Sequence, residues 1–124
     1  MAWGKRIPGA DVGARASVDM RSLQYHPVMI SAAEAVAICR SLTQPVIGII
    51  QNNPNTNENA DVQVLGFSKM VAGGTIARGD QLGPDASGYV AAVTNVGSWV
   101  FAIAWEAAAL NEIFTGLIIG PHGL

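Results

Sequence analysis

Cysteine is almost missing from this sequence: Cys39 is the only one in 124 residues, which excludes an internal disulfide and a CxxC metal site. Charge is also scarce. Charged residues make up 13% of the chain, against roughly a quarter in typical soluble domains. The net charge of −2 is too small to point to a polyanion, and arginines do not interleave with aromatics on one strand, so no direct nucleic-acid partner is expected. The two histidines, His26 and His122, have no serine and carboxylate at a family spacing, and the carboxylates are scattered. No enzyme is therefore expected. Gly73-Gly74-Thr75 lacks the lysine of a phosphate loop, and no cofactor is implied. Apolar runs fall short of the ~20 residues of a membrane helix. The basic residues near the N-terminus are followed by no apolar core of a signal peptide. The expectation is a chain made in the cytoplasm, with no membrane partner.

Apolar residues, at 50% of the chain, are plentiful. A chain of this length buries roughly two-thirds of its unfolded surface, and with so few charges it keeps apolar surface for another subunit or a partner. Asp61 to Val90 reads DVQVLGFSKMVAGGTIARGDQLGPDASGYV. Val62, Val64 and Gly66 alternate with Gln63, Leu65 and Phe67, the period of a strand. Gly73-Gly74, Gly79-Asp80 and Gly83-Pro84-Asp85 mark turns. The spacing predicts a mainly β protein, a small antiparallel β-barrel or sandwich-like domain with an extended N-terminal arm.

Residues 1–27 are assigned to that arm and 28–124 to the compact domain. Gly4, Pro8, Gly9 and Gly13 break any helix. Four basic residues stand against two acidic ones in residues 1–27, and three against seven in the remainder, so a basic arm is set on an acidic body. Its alternatives are a disordered tail and a segment that orders on a partner. In the second case Trp3 and Ile7 are the apolar anchors and Lys5, Arg6 and Arg15 the cationic contacts.

Leu23 to Ile30 predicts the first strand, with Pro27 at an edge or confining the pairing to the residues after it, and His26 as a polar residue at the strand edge. Ser31–Arg40 begins like a capping box (Ser31-Ala32-Ala33-Glu34), yet Val36 and Ile38 alternate with Ala35 and Ala37; a turn and a strand near Val36–Cys39 are favoured over a helix. Gln44 to Ile50 is nearly all apolar, as in a strand covered on both faces. Gln51 to Asn59 is a polar loop. Its Asn57 and Glu58, with Asp61, match no EF-hand spacing, so no metal site is assigned. Arg78-Gly79-Asp80 is a short tripeptide with a turn role. Trp99, Phe101, Ile103 and Trp105 share one side of a strand and Val100, Ala102 and Ala104 the other. The large side is expected to fill the core, an interface being the alternative. Glu106 to Ala109 suggests a helical turn, Ile113–Ile119 a last strand broken at Gly116, and Gly120–Leu124 a tail.

Several of these segments resemble small bacteriophage head decoration (cement) proteins. Pro45-Val46-Ile47-Gly48-Ile49-Ile50-Gln51-Asn52-Asn53-Pro54 is similar to that family's GVLQNNP signature. Gly66-Phe67-Ser68-Lys69-Met70-Val71-Ala72-Gly73 resembles G-x-S-K-V-x-A-G. Ile76 to Leu82 resembles I-x-x-G-D-x-L, and Asp85 to Gly88 resembles D-x-x-G. Ile103 to Ala109 resembles I-A-L-E-A-A-A, with Trp105 where the family has an aliphatic residue, and Glu112-Ile113 comes next as in G-E-I. The motifs are collinear over residues 22–119; nothing before Tyr25 aligns.

The resemblance implies a β-barrel-like domain on the outer surface of an icosahedral capsid, in the virion, without catalysis. The implied partner is the major capsid protein, whose neighbouring copies the subunit bridges to stabilise the head. A homo-oligomer is expected, a trimer at threefold positions or else a dimer at twofold ones. The alternative function is a head-surface fibre or adhesion module that binds host-surface glycans.

Overall fold

Short strands between glycine- and asparagine-rich turns fold as the mainly β reading expects. The computed structural model describes residues 11–41, 43–95 and 97–123. Among them are ten strands and no helix: β1 (Asp11–Ala16), β2 (Pro27–Ala32), β3 (Ala35–Ile38), β4 (Gly48–Ile50), β5 (Asn59–Gln63), β6 (Gly66–Val71), β7 (Gln81–Pro84), β8 (Val90–Ala92), β9 (Trp99–Ala104) and β10 (Ile113–Gly123).

The first five close into a barrel in the order β1-β3-β2-β4-β5. Its pairings are antiparallel except β1 with β3. Ala16, Met20, Val28, Val36, Ile38, Ile50, Ala60 and Val62 fill the interior, with Ala14 packed against them. Alanines recur there because five strands enclose little space. β1 is the closing strand: it pairs with β5 from Asp11↔Gln63 to Arg15↔Asn59, and with β3 at Arg15↔Ala35.

This corrects the expected arm over residues 1–27. Residues 1–10 lie outside the described residues, but residues 11–27 belong to the barrel. Asp11–Ala16 supplies one wall, and Met20 is fully buried. The glycine and the charges of β1 suggested a linker, yet Gly13 and Arg15 alternate with the small residues Ala14 and Ala16 that the interior needs. Leu23–Tyr25 is turn rather than strand, and pairing begins at Pro27, where a missing N–H is tolerated.

β6 to β10 form the second sheet in the order β6-β10-β9-β7-β8. A parallel bridge from Ala72 to Val90 brings its two ends together. Its core holds Met70, Leu82, Val90, Phe101, Ala102, Ala104, Phe114 and Ile118, and the same cluster takes in Cys39, Val46 and Ile49 from the barrel side. Ile49 and Ile50 thus enter different cores, which explains an apolar run without alternation. Polar groups complete the junction. Gln51 Nε2 donates to Ser68 Oγ (2.9 Å), and Gln63 Nε2 donates to the carbonyls of Leu65 and Phe67.

A loop from Asp85 to Tyr89 ties the second sheet to the barrel. Asp85 Oδ1 accepts the N–H groups of Ser87 and Tyr89, Arg40 donates to the Ser87 carbonyl at 2.9 Å, and His26 lies 2.7 Å through Nδ1 from the Gly88 carbonyl. That carbonyl only accepts, so Nδ1 carries the proton. Gly88 has φ of +85°, and a Cβ there would stand 2.7 Å from the Ile38 side chain. His26 is therefore buried between the two halves, not a strand-edge residue.

Later segments differ from expectation as well. Gly83 and Pro84 lie in β7, not in a turn. Glu106–Ala109 forms no helix; Ala108 bridges to Ile76 instead. Gly116 does not break the last strand, because it pairs with both Ser68 and Ala104. The missing side chain makes room for Met70, whose Sδ would be 2.6 Å from a Cβ. The expected tail continues β10 to Gly123, past a register shift between Ile118 and His122 that accommodates Pro121. Within Ser31–Arg40, Ser31 and Ala32 end β2, and the favoured turn and strand follow: Ala33 and Glu34 turn, with Glu34 at φ 56°, into β3.

Candidate interaction face

Strand alternation divides the second sheet into two sides. Met70, Phe114, Ile118, Ala102 and Ala104 point into its core. Phe67, Lys69 and Val71 of β6, Ile113, Thr115, Leu117 and Ile119 of β10, and Ile103 with the adjoining Trp105 take the opposite side. Register sets Phe67, Leu117, Ile103 and Gln81 in one row and Val71 beside Ile113 in another. Between them lie Lys69 and Thr115, and Trp105 donates its backbone N–H to the Thr115 carbonyl. Lys69 is the one charged residue of these rows, and its Nζ sits 5.8 Å from the centre of the Tyr25 ring.

The side is apolar and open. Ile113 is 59% exposed, Trp105 56%, Ile119 41% and Phe67 38%. Antiparallel sheets with one face in water alternate apolar with polar residues, whereas here both faces are apolar. This corrects the expectation for β9: its small residues Val100, Ala102 and Ala104 are all buried, and of the large set Phe101 alone is in the core, at 1% exposure. A tightly curled sheet has little room inside, so bulk is displaced outward. Trp105 and Phe67 meet edge to face, with ring centres 4.8 Å apart and planes at 75°.

The turn at Ala77–Asp80 borders this face. Asp80 Oδ2 accepts the Ala77 N–H, Gly79 donates to the Ala104 carbonyl and Ala104 to the Asp80 carbonyl, and Gly79 takes φ of +89°, which favours glycine. The turn holds Arg78 beside Trp105. Two clefts flank the indole. One of about 400 Å³ is lined by Arg78, Gly79, Ile103, Ala104 and Trp105; the other, of about 540 Å³, by Ala77, Arg78, Trp105, Glu106 and Ala107.

Of the contact residues suggested by sequence, Trp3, Lys5, Arg6 and Ile7 lie outside the described residues. Arg15 is exposed on the barrel and donates to Asn57 Oδ1 at 3.0 Å, so it does not belong to the apolar face. Sequence reasoning missed Phe67, Arg78, Ile113 and Leu117. The signal available was that both alternating sets of β10 from Ile113 to Ile119 are mainly apolar, Thr115 being the one polar side chain. Titratable groups elsewhere have structural surroundings. Burial lowers the His26 pKa below its ordinary value, opposed in part by the Gly88 carbonyl, and burial pushes the Cys39 thiol up. Glu58 accepts the Asn55 N–H, and among the described residues no three histidine, cysteine or carboxylate side chains cluster as a metal site would require.

Comparison with known proteins agrees with this architecture. The structure of the head fiber gp8.5 N base in bacteriophage phi29 superposes with a TM-score of 0.68 at 17% identity, over 87% of this chain and 92% of the other, a likeness of fold. No curated protein matches the chain in sequence. The family model for phage cement protein matches residues 11–118, beginning at the first residue of β1 and ending in β10. The chain belongs to the phage cement protein family, and its role is structural and associated with the phage head.

Proposed function

We propose that the protein decorates the outer surface of the phage head and stabilises it by bridging neighbouring copies of the major capsid protein. The observation that carries this reading is the open apolar face of the second sheet in a chain of the cement family. Seven apolar side chains on one side of a sheet amount to on the order of 500 Å² of exposed surface, the upper range for a monomer left alone. A subunit seated across a capsomer junction must be dislodged before the capsomers separate, so many modest contacts reinforce the shell together.

A homotrimer at threefold or quasi-threefold positions, with a dimer at twofold positions as the alternative, suits a closed icosahedral lattice. Trp3, Lys5, Arg6 and Ile7, with Arg15 on the barrel, are proposed as additional contacts to the capsid or a sister subunit. Cosedimentation with heads assembled without this protein tests the reading. Saturable binding at a stoichiometry fixed by the lattice, and heads that survive higher temperature when decorated, are expected; absence of binding overturns it. Light scattering of the free protein, with imaging of decorated heads, separates trimer from dimer. Removing residues 1–10 is expected to lower occupancy of the heads and to weaken the salt dependence of binding.

A further inference from the structure

We infer that the paired clefts around Trp105 and Arg78 are the anchor point for a segment of the capsid partner that presents a carboxylate beside an apolar side chain. This anchor rests on the proposed head-binding role and locates its grip.

Trp105 carries the largest side chain type in the protein and leaves 56% of itself in water. Covering such an indole yields more free energy than covering any other side chain. The ring is held in place beforehand by the edge contact with Phe67 and by the backbone bond to Thr115. Little conformational freedom remains to be lost on binding. Arg78 lines both clefts and makes no ion pair among the described residues. The nearby carboxylates are engaged by backbone: Asp80 accepts the Ala77 N–H and Glu106 accepts the Thr115 N–H at 3.2 Å. The turn that carries Arg78 is fastened to Ala104 on both sides of Gly79, so the guanidinium stem starts from a fixed point. A planar cation with no ion pair among the described residues, beside an apolar wall, complements a carboxylate adjacent to an apolar group.

The surroundings decide among occupants. In the cleft of about 400 Å³, every lining residue besides Arg78 is apolar or glycine. A sugar needs several placed hydrogen-bonding groups, which that wall does not offer. Nucleic acid needs a row of cations, and here Glu106 shares the second cleft with Arg78. A second copy of this chain would bring the same face, on which the carboxylates closest to the turn are already engaged. The apolar row of Ile103, Leu117 and Phe67 continues from the cleft across the sheet, a track for the residues that flank the anchored pair.

The test compares wild type with Trp105→Ala, Trp105→Phe, Arg78→Glu and Arg78→Lys in cosedimentation with undecorated heads, with thermal melts alongside. Trp105→Ala and Arg78→Glu are expected to weaken binding by roughly 30-fold or more at unchanged oligomeric mass, and Trp105→Phe and Arg78→Lys by much less. If wild type binds heads and both disruptive variants bind equally well with intact melts, the anchor is elsewhere while the head-binding role stands. If wild type fails to bind, both readings fall. Loss of oligomeric mass in Trp105→Ala would assign the clefts to a second copy, and Trp105-dependent binding to immobilised glycans without binding to heads would assign them to sugar; either overturns the inference.

Discussion

The barrel and the second sheet treat outward-pointing residues differently. In the barrel, the outer positions of β1 and β5 are Asp11, Gly13, Arg15, Asn59 and Asp61, while Met29 and Ile49 on β2 and β4 point outward and are covered by the neighbouring core. The second sheet buries Phe101 and Phe114 among alanines and aliphatic residues in its core, and its other face carries Phe67, Ile103, Trp105, Ile113 and Leu117. The barrel leaves Ile30 and Val12 as isolated exposed apolar side chains, whereas the sheet gathers its own on one face. Closure explains the division: a closed barrel has no free edge and needs only its interior filled, whereas an open sheet with two apolar faces needs a layer on each.

Mutations can break or sharpen this contrast. The largest effect is expected from removing residues 1–20, which deletes β1 and the buried Met20. The barrel then opens at β3 and β5, and circular dichroism should show no cooperative melt. Phe101→Ala should cost about 3–5 kcal/mol in denaturant titration, the range for a buried aromatic. Gly48→Ala, where a Cβ would collide with the Gln63 carbonyl between β4 and β5, should cost about 1–3 kcal/mol.

A smaller, pH-dependent effect is expected at His26. Its folded pKa lies below the ordinary 6.5 because burial disfavours the cation, so the unfolded chain binds the proton more readily. This contribution to stability is fully present above about pH 6.5 and is lost progressively as pH falls below it. His26→Gln should flatten the melting temperature between pH 7 and 5. Arg40, Asp85 and Tyr89 are the charged or titratable groups around the ring, and Arg40→Gln should lessen the acid sensitivity. The smallest change is expected for Trp105→Ala, at ~1 kcal/mol or less because the ring is largely in solvent and loses only the Phe67 contact. A large loss there would place Trp105 in the core after all and erase the contrast.

The fold class, a strand within Gln44–Ile50 (paired only over Gly48–Ile50) and the turn before Val36 were legible because each rests on local chemistry: an apolar run, or β-branched alternation after a polar turn. β1 was not legible. Its residues are ordinary, and its strand character comes from partners far along the chain at Asn59–Gln63. Gly116 read as a break because the sequence does not show Met70 occupying the space beside it. For the interaction face, period two told which residues of β9 share a side. It did not tell which side is inside; side-chain size argued for the aromatics, yet Val100, Ala102 and Ala104 are buried and of the large set Phe101 alone joins them. Arg78 gained its place beside Trp105 only through the bonds between its turn and Ala104, a contact across the fold.

The order of strands also has a consequence in time. All five barrel strands precede Gly66, so the first half of the chain to leave the ribosome holds everything the barrel needs, down to Gln63, which receives Asp11. The wall carrying Cys39, Val46 and Ile49 is then finished before the residues that cover it exist. During synthesis the nascent protein is most adhesive on the side that its own second half will seal. A pause in translation after Gln63 prolongs that exposure, and a pause before it leaves a barrel that has not yet closed.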